Sequence, residues 1–235
     1  MNDEKKLLYD VLISAQWALF GLTPNFLRAI TVKCSGFKVD LIFYCDGELS
    51  EHDKELITTD ICGEFSDGID SVVMSSFGKE IFDKLFEWKH YIIRFDYPNL
   101  IPKDGYLAYK RYEPGQFSRS DYLFPEDFQN DLRLEYGSNL RPLILISSQK
   151  ALLNRLENNL REVDVAWDDK TIWLYFYYDN IITALNRSFA SAAAEEFMQS
   201  FPHHKLEFKI LLSDELDKYV SAHDWVSVFF RGNSN

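Results

Sequence analysis

Carboxylates are concentrated in one short segment of the chain. Residues 46–70 contain nine acids and one base, Lys54, so this segment carries a net charge of −8 out of −12 for all 235 residues. Clustered carboxylates can bind a cationic surface, hold a divalent metal ion, or act as general acid and base in hydrolysis. The acids of this segment are Asp46, Glu48, Glu51, Asp53, Glu55, Asp60, Glu64, Asp67 and Asp70.

The spacing of these acids does not fit a metal-binding or catalytic motif. They form no D-x-D-x-D-G loop, and the five histidines show no ligand spacing. The chain has no G-x-S-x-G, P-loop or G-x-G-x-x-G sequence. We therefore predict no catalytic residue, no cofactor and no metal ion. A small carboxylate- or metal-dependent hydrolase and a general protein-binding module remain the alternatives.

The acidic segment is predicted to contain a helix that begins after Ser50. Asp53 is placed to complete a capping box with Ser50, and Gly68 ends the helix. Its apolar stripe is Ile57, Ile61 and Phe65. At 100° per residue, four acids fall within about 60° of one another beside this stripe. They are Asp53, Asp60, Glu64 and Asp67.

The elements that position this helix occur twice. Residues 12–46 and 145–179 align without a gap at an offset of 133 and are identical at 14 of 35 positions. Because unrelated segments of this length share only a few residues by chance, we infer a duplicated module. The retained pairs include Asn25/Asn158, Arg28/Arg161 and Asp46/Asp179. We expect these to be structural, with the arginine pairing with the aspartate.

The pattern of periodicities predicts an α+β protein of two tandem αββαββ modules, with antiparallel sheets and helices packed on one face. The first module is residues 1–112, an ordered connector is 113–141, and the second, diverged module is 142–235. In the first module we predict a helix at Lys79–Trp88 and a strand at Tyr91–Tyr97. The connector is predicted to contain a helix at Glu126–Tyr136 and to pack through Phe117, Tyr122, Phe124 and Phe128.

The same periodicities predict equivalent interiors for the two modules, because corresponding positions should face the core. The predicted core is Leu12, Leu19, Val32, Leu41 and Phe43, and likewise Leu145, Leu152, Val165, Leu174 and Phe176.

The acidic segment differs most between the two copies. The corresponding helix of the second module, ALNRSFASAAAEEFMQSF, is almost neutral. A fold that needed these acids would be expected to retain them in both copies, and clustered like charges oppose folding. We therefore predict a partner-binding surface at Asp46, Glu48, Glu51, Asp53, Asp60, Glu64 and Asp67.

The composition excludes several classes of function. A net charge of −12 argues against nucleic-acid binding, which needs a basic surface. The sequence contains no signal-peptide pattern and no apolar run of membrane-spanning length, so we expect a cytoplasmic protein that does not bind membranes. Three cysteines without a C-x-x-C pair indicate buried thiols, not disulfides. Because the modules are duplicated within one chain, we expect a monomer.

The runs ALFGLTPNFLRAITV and DLIFYCDGELSEHDKE resemble a family of small bacterial proteins of about one such module, some of them immunity proteins of polymorphic-toxin loci. The family pattern is A-L-x-G-x-x-x-P-N-L-R-A-V followed by x-F-Y-F-D-G-E-x-S-E-E-D. The second copy keeps Asn158, Leu160, Arg161 and Asp179 but lacks the proline and the acidic run. Residues of the first copy that match are Pro24, Asn25, Leu27, Arg28, Ala29, Asp46, Gly47, Glu48, Ser50, Glu51 and Asp53.

The resemblance and the acidic segment together predict an immunity protein without catalysis of its own. It would bind and neutralise a cognate toxin domain, basic in character, through the acidic surface. The toxin would be a nuclease or another enzyme that acts in the cytoplasm, such as an ADP-ribosyltransferase.

Overall fold

The computed structural model describes residues 3–19, 21–36, 38–68, 87–94, 106–111, 125, 127–153, 155–218 and 225–231. The first module has helix α1 and strands β1 to β4, with helix α2 between β2 and β3. Helix α2 begins as Glu51–Glu55, widens into a π-helical turn at Leu56–Ile61 and continues as a helix to residue 68. The other bounds are α1 Asp3–Ala18, β1 Leu27–Ser35, β2 Lys38–Cys45, β3 Glu87–Arg94 and β4 Tyr106–Lys110.

Helix α3, Phe128–Tyr136, precedes the second module. That module has helices α4 and α5, strands β5 to β8 and a short 3-10 helix at Ser213–Lys218. Its bounds are α4 Arg141–Leu152, β5 Leu160–Trp167, β6 Thr171–Tyr178, α5 Ala184–Met198, β7 Lys205–Leu212 and β8 Val226–Phe230.

Two four-stranded sheets repeat one topology. Their strand orders are β3-β2-β1-β4 and β7-β6-β5-β8. The pairing registers also agree at the offset of 133, since Ile30 pairs with Phe43 and Val163 pairs with Phe176. Both first strands have a β-bulge at the retained arginine, Arg28 or Arg161. The predicted α+β fold of two tandem modules is therefore confirmed.

The sheets were predicted to be antiparallel, but each is mixed, because one of its outer strands runs parallel to its neighbour. Strands β2 and β3 are parallel, and so are β6 and β7, while the other pairs are antiparallel. A helix-containing segment separates the parallel strands in sequence, and such a connection can return the chain to the same end of the sheet. The helix predicted at Lys79–Trp88 lies outside the described residues except for Glu87 and Trp88, which belong to β3. The strand predicted at Tyr91–Tyr97 coincides with β3 as far as Arg94.

The predicted interior is confirmed in both modules. All ten residues predicted to face the core are buried, and Phe43 and Phe176 are only 1% and 2% exposed. The inner sheet faces and the helices join in one apolar core that spans both modules. Burial of this continuous apolar surface is the main force that holds the modules together.

The modules interlock through reciprocal contacts. Gln16 Nε2 donates to the carbonyl oxygen of Val228 in β8, at 2.7 Å. Its counterpart Gln149 donates to the carbonyl of Ala108 in β4, at 2.9 Å, and also to that of Leu12. Each first helix therefore contacts the last strand of the other module. These two glutamines are among the retained residues of the repeat, and this contact gives a physical reason for that.

The segments that follow the first helices also contact the last strand of the other module. The amide of Gly21, which has φ of +75°, donates to the carbonyl of Phe230 at 3.0 Å. In the opposite sense, Leu156 forms a parallel bridge with Arg111 at the end of β4. The end of each last strand therefore also contacts backbone of the other module.

Helix α3, in the segment predicted to be the connector, contacts both modules through polar side chains. Asp131 accepts hydrogen bonds from Lys5 Nζ and Tyr9 Oη of α1, both at 2.9 Å. On the other side, Arg133 donates to the carbonyl of Ser200 at 2.5 Å. Phe128 is buried, whereas Phe117, Tyr122 and Phe124 lie outside the described residues.

Candidate functional site

The acidic helix begins with the predicted capping box. Ser50 Oγ accepts from the amide of Asp53 at 3.1 Å, and Asp53 Oδ2 accepts from the amide of Ser50 at 3.0 Å. The Ser50 hydroxyl also donates to Asp53 Oδ2 at 2.7 Å, and this bond, together with the one from the Ser50 amide, stabilises the ionised carboxylate and lowers the pKa of Asp53. Thr183 and Asn186 form the same box at the start of α5. Both modules therefore begin this helix with a capping box, although the second module lacks the acids.

The π-helical turn at Leu56–Ile61 separates Asp53 from the later acids. A π turn contains an extra residue, so the angle calculated for a regular helix does not carry across it. Asp60 lies at the end of this turn, and Glu64 and Asp67 follow it at positions i+4 and i+7. All three side chains are exposed. The Asp53 carboxylate instead accepts a hydrogen bond from Ser50, the N-cap residue of the helix. The face thus consists of the three later acids, and Glu48 and Glu51 are exposed at the start of the helix.

The inner side of α2 explains why those acids point outward. Ile57, Ile61, Cys62 and Phe65 are each at most 4% exposed and belong to the common core. An amphipathic helix that buries this stripe must direct its other residues to solvent. Burial also raises the pKa of the Cys62 thiol to about 12. Such a thiol is unreactive at neutral pH, and the predicted buried, unpaired state of this cysteine is confirmed.

Asp46 is held by two arginines at the base of the acidic segment. Arg28 Nε lies 3.3 Å from Asp46 Oδ1, and Arg111 Nη2 lies 2.6 Å from Asp46 Oδ2. Arg111 also donates to the carbonyl of Asn25. The predicted pairing of Arg28 with Asp46 is therefore confirmed. Asp46 remains about half exposed, with a side-chain accessibility of 47%, and its charge is compensated within the fold.

The second module keeps the arginine contact to the backbone and replaces the ion pair. Arg231 donates to the carbonyls of Asn158 and Glu157. Asp179 accepts from Ser213 Oγ at 2.9 Å, while the Arg161 guanidinium lies 5.1 Å from the centre of the Phe230 ring. Arg111 and Arg231, each directly after the last strand of its module, therefore fasten the end of that strand to the backbone just before the first strand.

A buried carboxylate of the second module was not among the predicted site residues. Asp164 in β5 is 4% exposed, and burial, together with the nearby Glu162 carboxylate, raises its pKa to about 7. Its Oδ1 atom has no hydrogen-bond partner among the described residues. Comparison of the two copies could have drawn attention to Asp164, because the equivalent position in the first module is the uncharged Thr31.

Two further features bear on the class of site. Within the described ranges, no group of three or more His, Cys, Asp or Glu side chains is arranged to hold a metal ion. The described helices are also too short or too polar for any of them to cross a bilayer. Asp70 lies outside the described residues.

The family model described as MafI2 immunity protein matches the chain over residues 9–84 and 141–233. No curated protein matches the chain. The two matched regions begin within α1 and at the start of α4, so each contains most or all of the first helix and the first two strands of one module. They cover more than half of the chain and fall on the two copies of the repeat. The protein therefore belongs to the MafI2 immunity protein family and carries that family's module twice.

Proposed function

We propose that this protein is a cytoplasmic immunity protein that binds and neutralises a cognate toxin domain of basic character. The proposed surface is the acidic segment of the first module. Glu48, Glu51, Asp60, Glu64 and Asp67 supply exposed charge for recognition. Asp46 and Asp53 shape the surface through the arginine clamp and the helix cap.

The observation that carries this proposal is the exposed acidic face of α2. The second module retains the corresponding helix, α5, but lacks these acids. Exposed like charges weaken a helix and add nothing to its packing. Family membership supplies the class of partner, and charge complementarity would accelerate its association.

The exposure of these carboxylates favours binding over hydrolysis. A general-acid carboxyl must be buried or otherwise perturbed to keep its proton at neutral pH. Glu48, Glu51, Asp60, Glu64 and Asp67 are all exposed to solvent. We therefore propose no catalytic role for them.

The experiment compares association rates with a cognate toxin domain of basic character. Asp60→Lys/Glu64→Lys should fold normally, because both side chains are exposed, and should slow association by about tenfold at low ionic strength. The defect should shrink as salt is added, because screening weakens interactions between exposed charges.

The matched control is Glu195→Lys/Asp169→Lys, which reverses two exposed acids of the second module. Glu196 is unsuitable as a control because it forms an ion pair with Arg155, at 2.9 Å. Thermal unfolding of each variant tests folding. Equal rates for the two double variants, or absence of binding by the wild-type chain, would contradict the proposal.

A further inference from the structure

Strand β7 lies at an edge of the second sheet. The strand order is β7-β6-β5-β8, so β7 pairs with β6 on one side and, among the described residues, with no strand on the other. It extends over eight residues, Lys205–Leu212, and contains no proline. An edge of this kind presents a row of backbone N–H and C=O groups that can pair with another strand.

The ladder between β6 and β7 determines which backbone groups of β7 point outward. The two strands are parallel, and the amide of Lys205 donates to the carbonyl of Lys170 at 2.7 Å. Because backbone groups alternate in direction along a strand, Glu207 and Lys209 also direct theirs towards β6. The residues between and after them direct their N–H and C=O groups to the outer edge. These residues are Leu206, Phe208 and Ile210.

Contacts within the chain limit this edge but do not cover it. The amide of Leu212 is already occupied, because it donates to the Glu215 carboxylate at 3.2 Å. The opposite edge of the sheet, β8, contacts the first module through the carbonyl of Phe230. Packing of the two modules within one chain therefore uses the ends of β4 and β8, and it leaves the outer edge of β7 unpaired among the described residues.

The side chains of β7 form an apolar row on one face and a charged row on the other. Leu206, Phe208 and Ile210 pack against the core and are only partly buried. Since side chains alternate along a strand, Glu207 and Lys209 lie on the opposite face. The Glu207 side chain is 43% exposed, so a second cation can approach its carboxylate. A strand with this pattern can pair with a strand of the same sequence.

An antiparallel pair of two copies, centred on Phe208, satisfies the backbone groups and the charges together. The outward backbone groups of Leu206 then meet those of Ile210 of the second copy, and Phe208 meets its own counterpart. Between these hydrogen-bonded pairs, Glu207 lies opposite Lys209 of the second copy, and the symmetry repeats this contact. Side chains at such positions are the closest cross-strand neighbours, and unlike charges there are stabilising.

Other registers and the other edge strand are less suitable. A register centred on Glu207 places two copies of this acid opposite each other, and one centred on Lys209 does the same with the lysine. Like charges in that position are destabilising. The edge strand of the first module, β3, carries His90 and Ile92 at the positions equivalent to Glu207 and Lys209. The charge pattern therefore favours pairing of β7 with β7, in one register.

We propose that β7 is a self-association surface through which two copies of this chain form a two-fold symmetric dimer, with their second sheets joined edge to edge. In such a contact the same surface is used by both copies, so the strand must be complementary to itself. One short strand contributes little area, so the dimer should be weak and depend on concentration. The inference is independent of the acidic face of α2, which lies in the first module.

The test is sedimentation equilibrium of the full chain at low ionic strength. Lys209→Glu and Glu207→Lys should each raise the dissociation constant of the dimer at least about tenfold, because each places like charges opposite each other twice. An equimolar mixture of the two variants should regain the wild-type dissociation constant within about threefold, because every facing pair then has opposite charges.

The matched control is Lys170→Glu, in the turn between β5 and β6. It makes the same change of charge as Lys209→Glu at an exposed residue away from the edge, so it should alter the dissociation constant less than about twofold. Circular dichroism of each variant tests folding, and recovery on mixing shows independently that both variants are folded.

Amide hydrogen exchange, followed by NMR, locates the contact. The amides of Leu206, Phe208 and Ile210 should exchange more slowly as the protein concentration rises, whereas those of Glu207 and Lys209, which already bond β6, should change little. A wild-type chain that stays monomeric at about 1 mM would overturn the proposal. A dimer that mixing of the two variants fails to restore would also overturn it. Protection of the same amides by a cognate toxin domain, in a chain that remains monomeric, would mean that this edge pairs with a strand of the toxin instead.

Discussion

Replacing Asp164 with asparagine should change how the stability of the free protein depends on pH. In the unfolded chain this carboxyl has an ordinary pKa of 3.8, and in the fold burial and Glu162 raise the pKa to about 7. Between these values the folded chain holds a proton that the unfolded chain has released. Stability therefore falls as pH rises through this range.

The size of the effect follows from the two pKa values. Their difference corresponds to roughly 4 kcal/mol of unfolding free energy, fully lost once the pH exceeds the folded pKa. Asparagine cannot ionise, so Asp164→Asn should escape this loss. The variant should gain up to roughly 4 kcal/mol relative to wild type between about pH 4 and pH 8, as the pKa shift requires.

Urea unfolding of both chains at several pH values would measure this difference. The other charged groups of the second sheet, Glu207, Lys205 and Lys209, are present in both proteins, so their contribution to the difference largely cancels. Glu162 interacts directly with Asp164 and can broaden the transition without changing its direction. A difference that stays constant within about 1 kcal/mol across this range would refute the inference that Asp164 is held protonated by burial.

Two other predictions concern packing within and between the modules. Phe43→Ala and Phe176→Ala should each lower the unfolding free energy by about 3–5 kcal/mol in denaturant titrations, because each ring is buried. A loss below ~1 kcal/mol would contradict the assignment of these rings to the core. Gln149→Leu should destabilise by about 1–3 kcal/mol, because it leaves a strand carbonyl unpaired between the modules. Gln16→Leu, at the less buried counterpart, should cost less, and the opposite order would contradict the proposed role of burial.

The sequence was sufficient for features that depend on local pattern. The constant offset of 133 identified the repeat, and it reappears in the register of Ile30 with Phe43 and of Val163 with Phe176. Ser50 was identified as a helix cap because its hydrogen bonds lie within one turn. Burial along α2 and the strands followed from period alone, since one face of an amphipathic element must leave water.

The arrangement of the charged site depended on a feature that periodicity does not encode. The calculation for a regular helix placed Asp53 on the same face as Asp60. A π turn adds a residue without altering which side chains are apolar, so it left the stripe intact and changed the relation between the acids.

Contacts between the two copies were decided by tertiary structure alone. The repeat showed that Gln16 and Gln149 correspond, but each donates to the strand of the other module. Asp164 likewise appears in the sequence as one polar residue in an alternating strand, and only the folded structure shows that it is buried. Sequence pattern reports which face of an element avoids water. Only the packing of separate elements determines which atoms meet there, because those atoms are far apart along the chain.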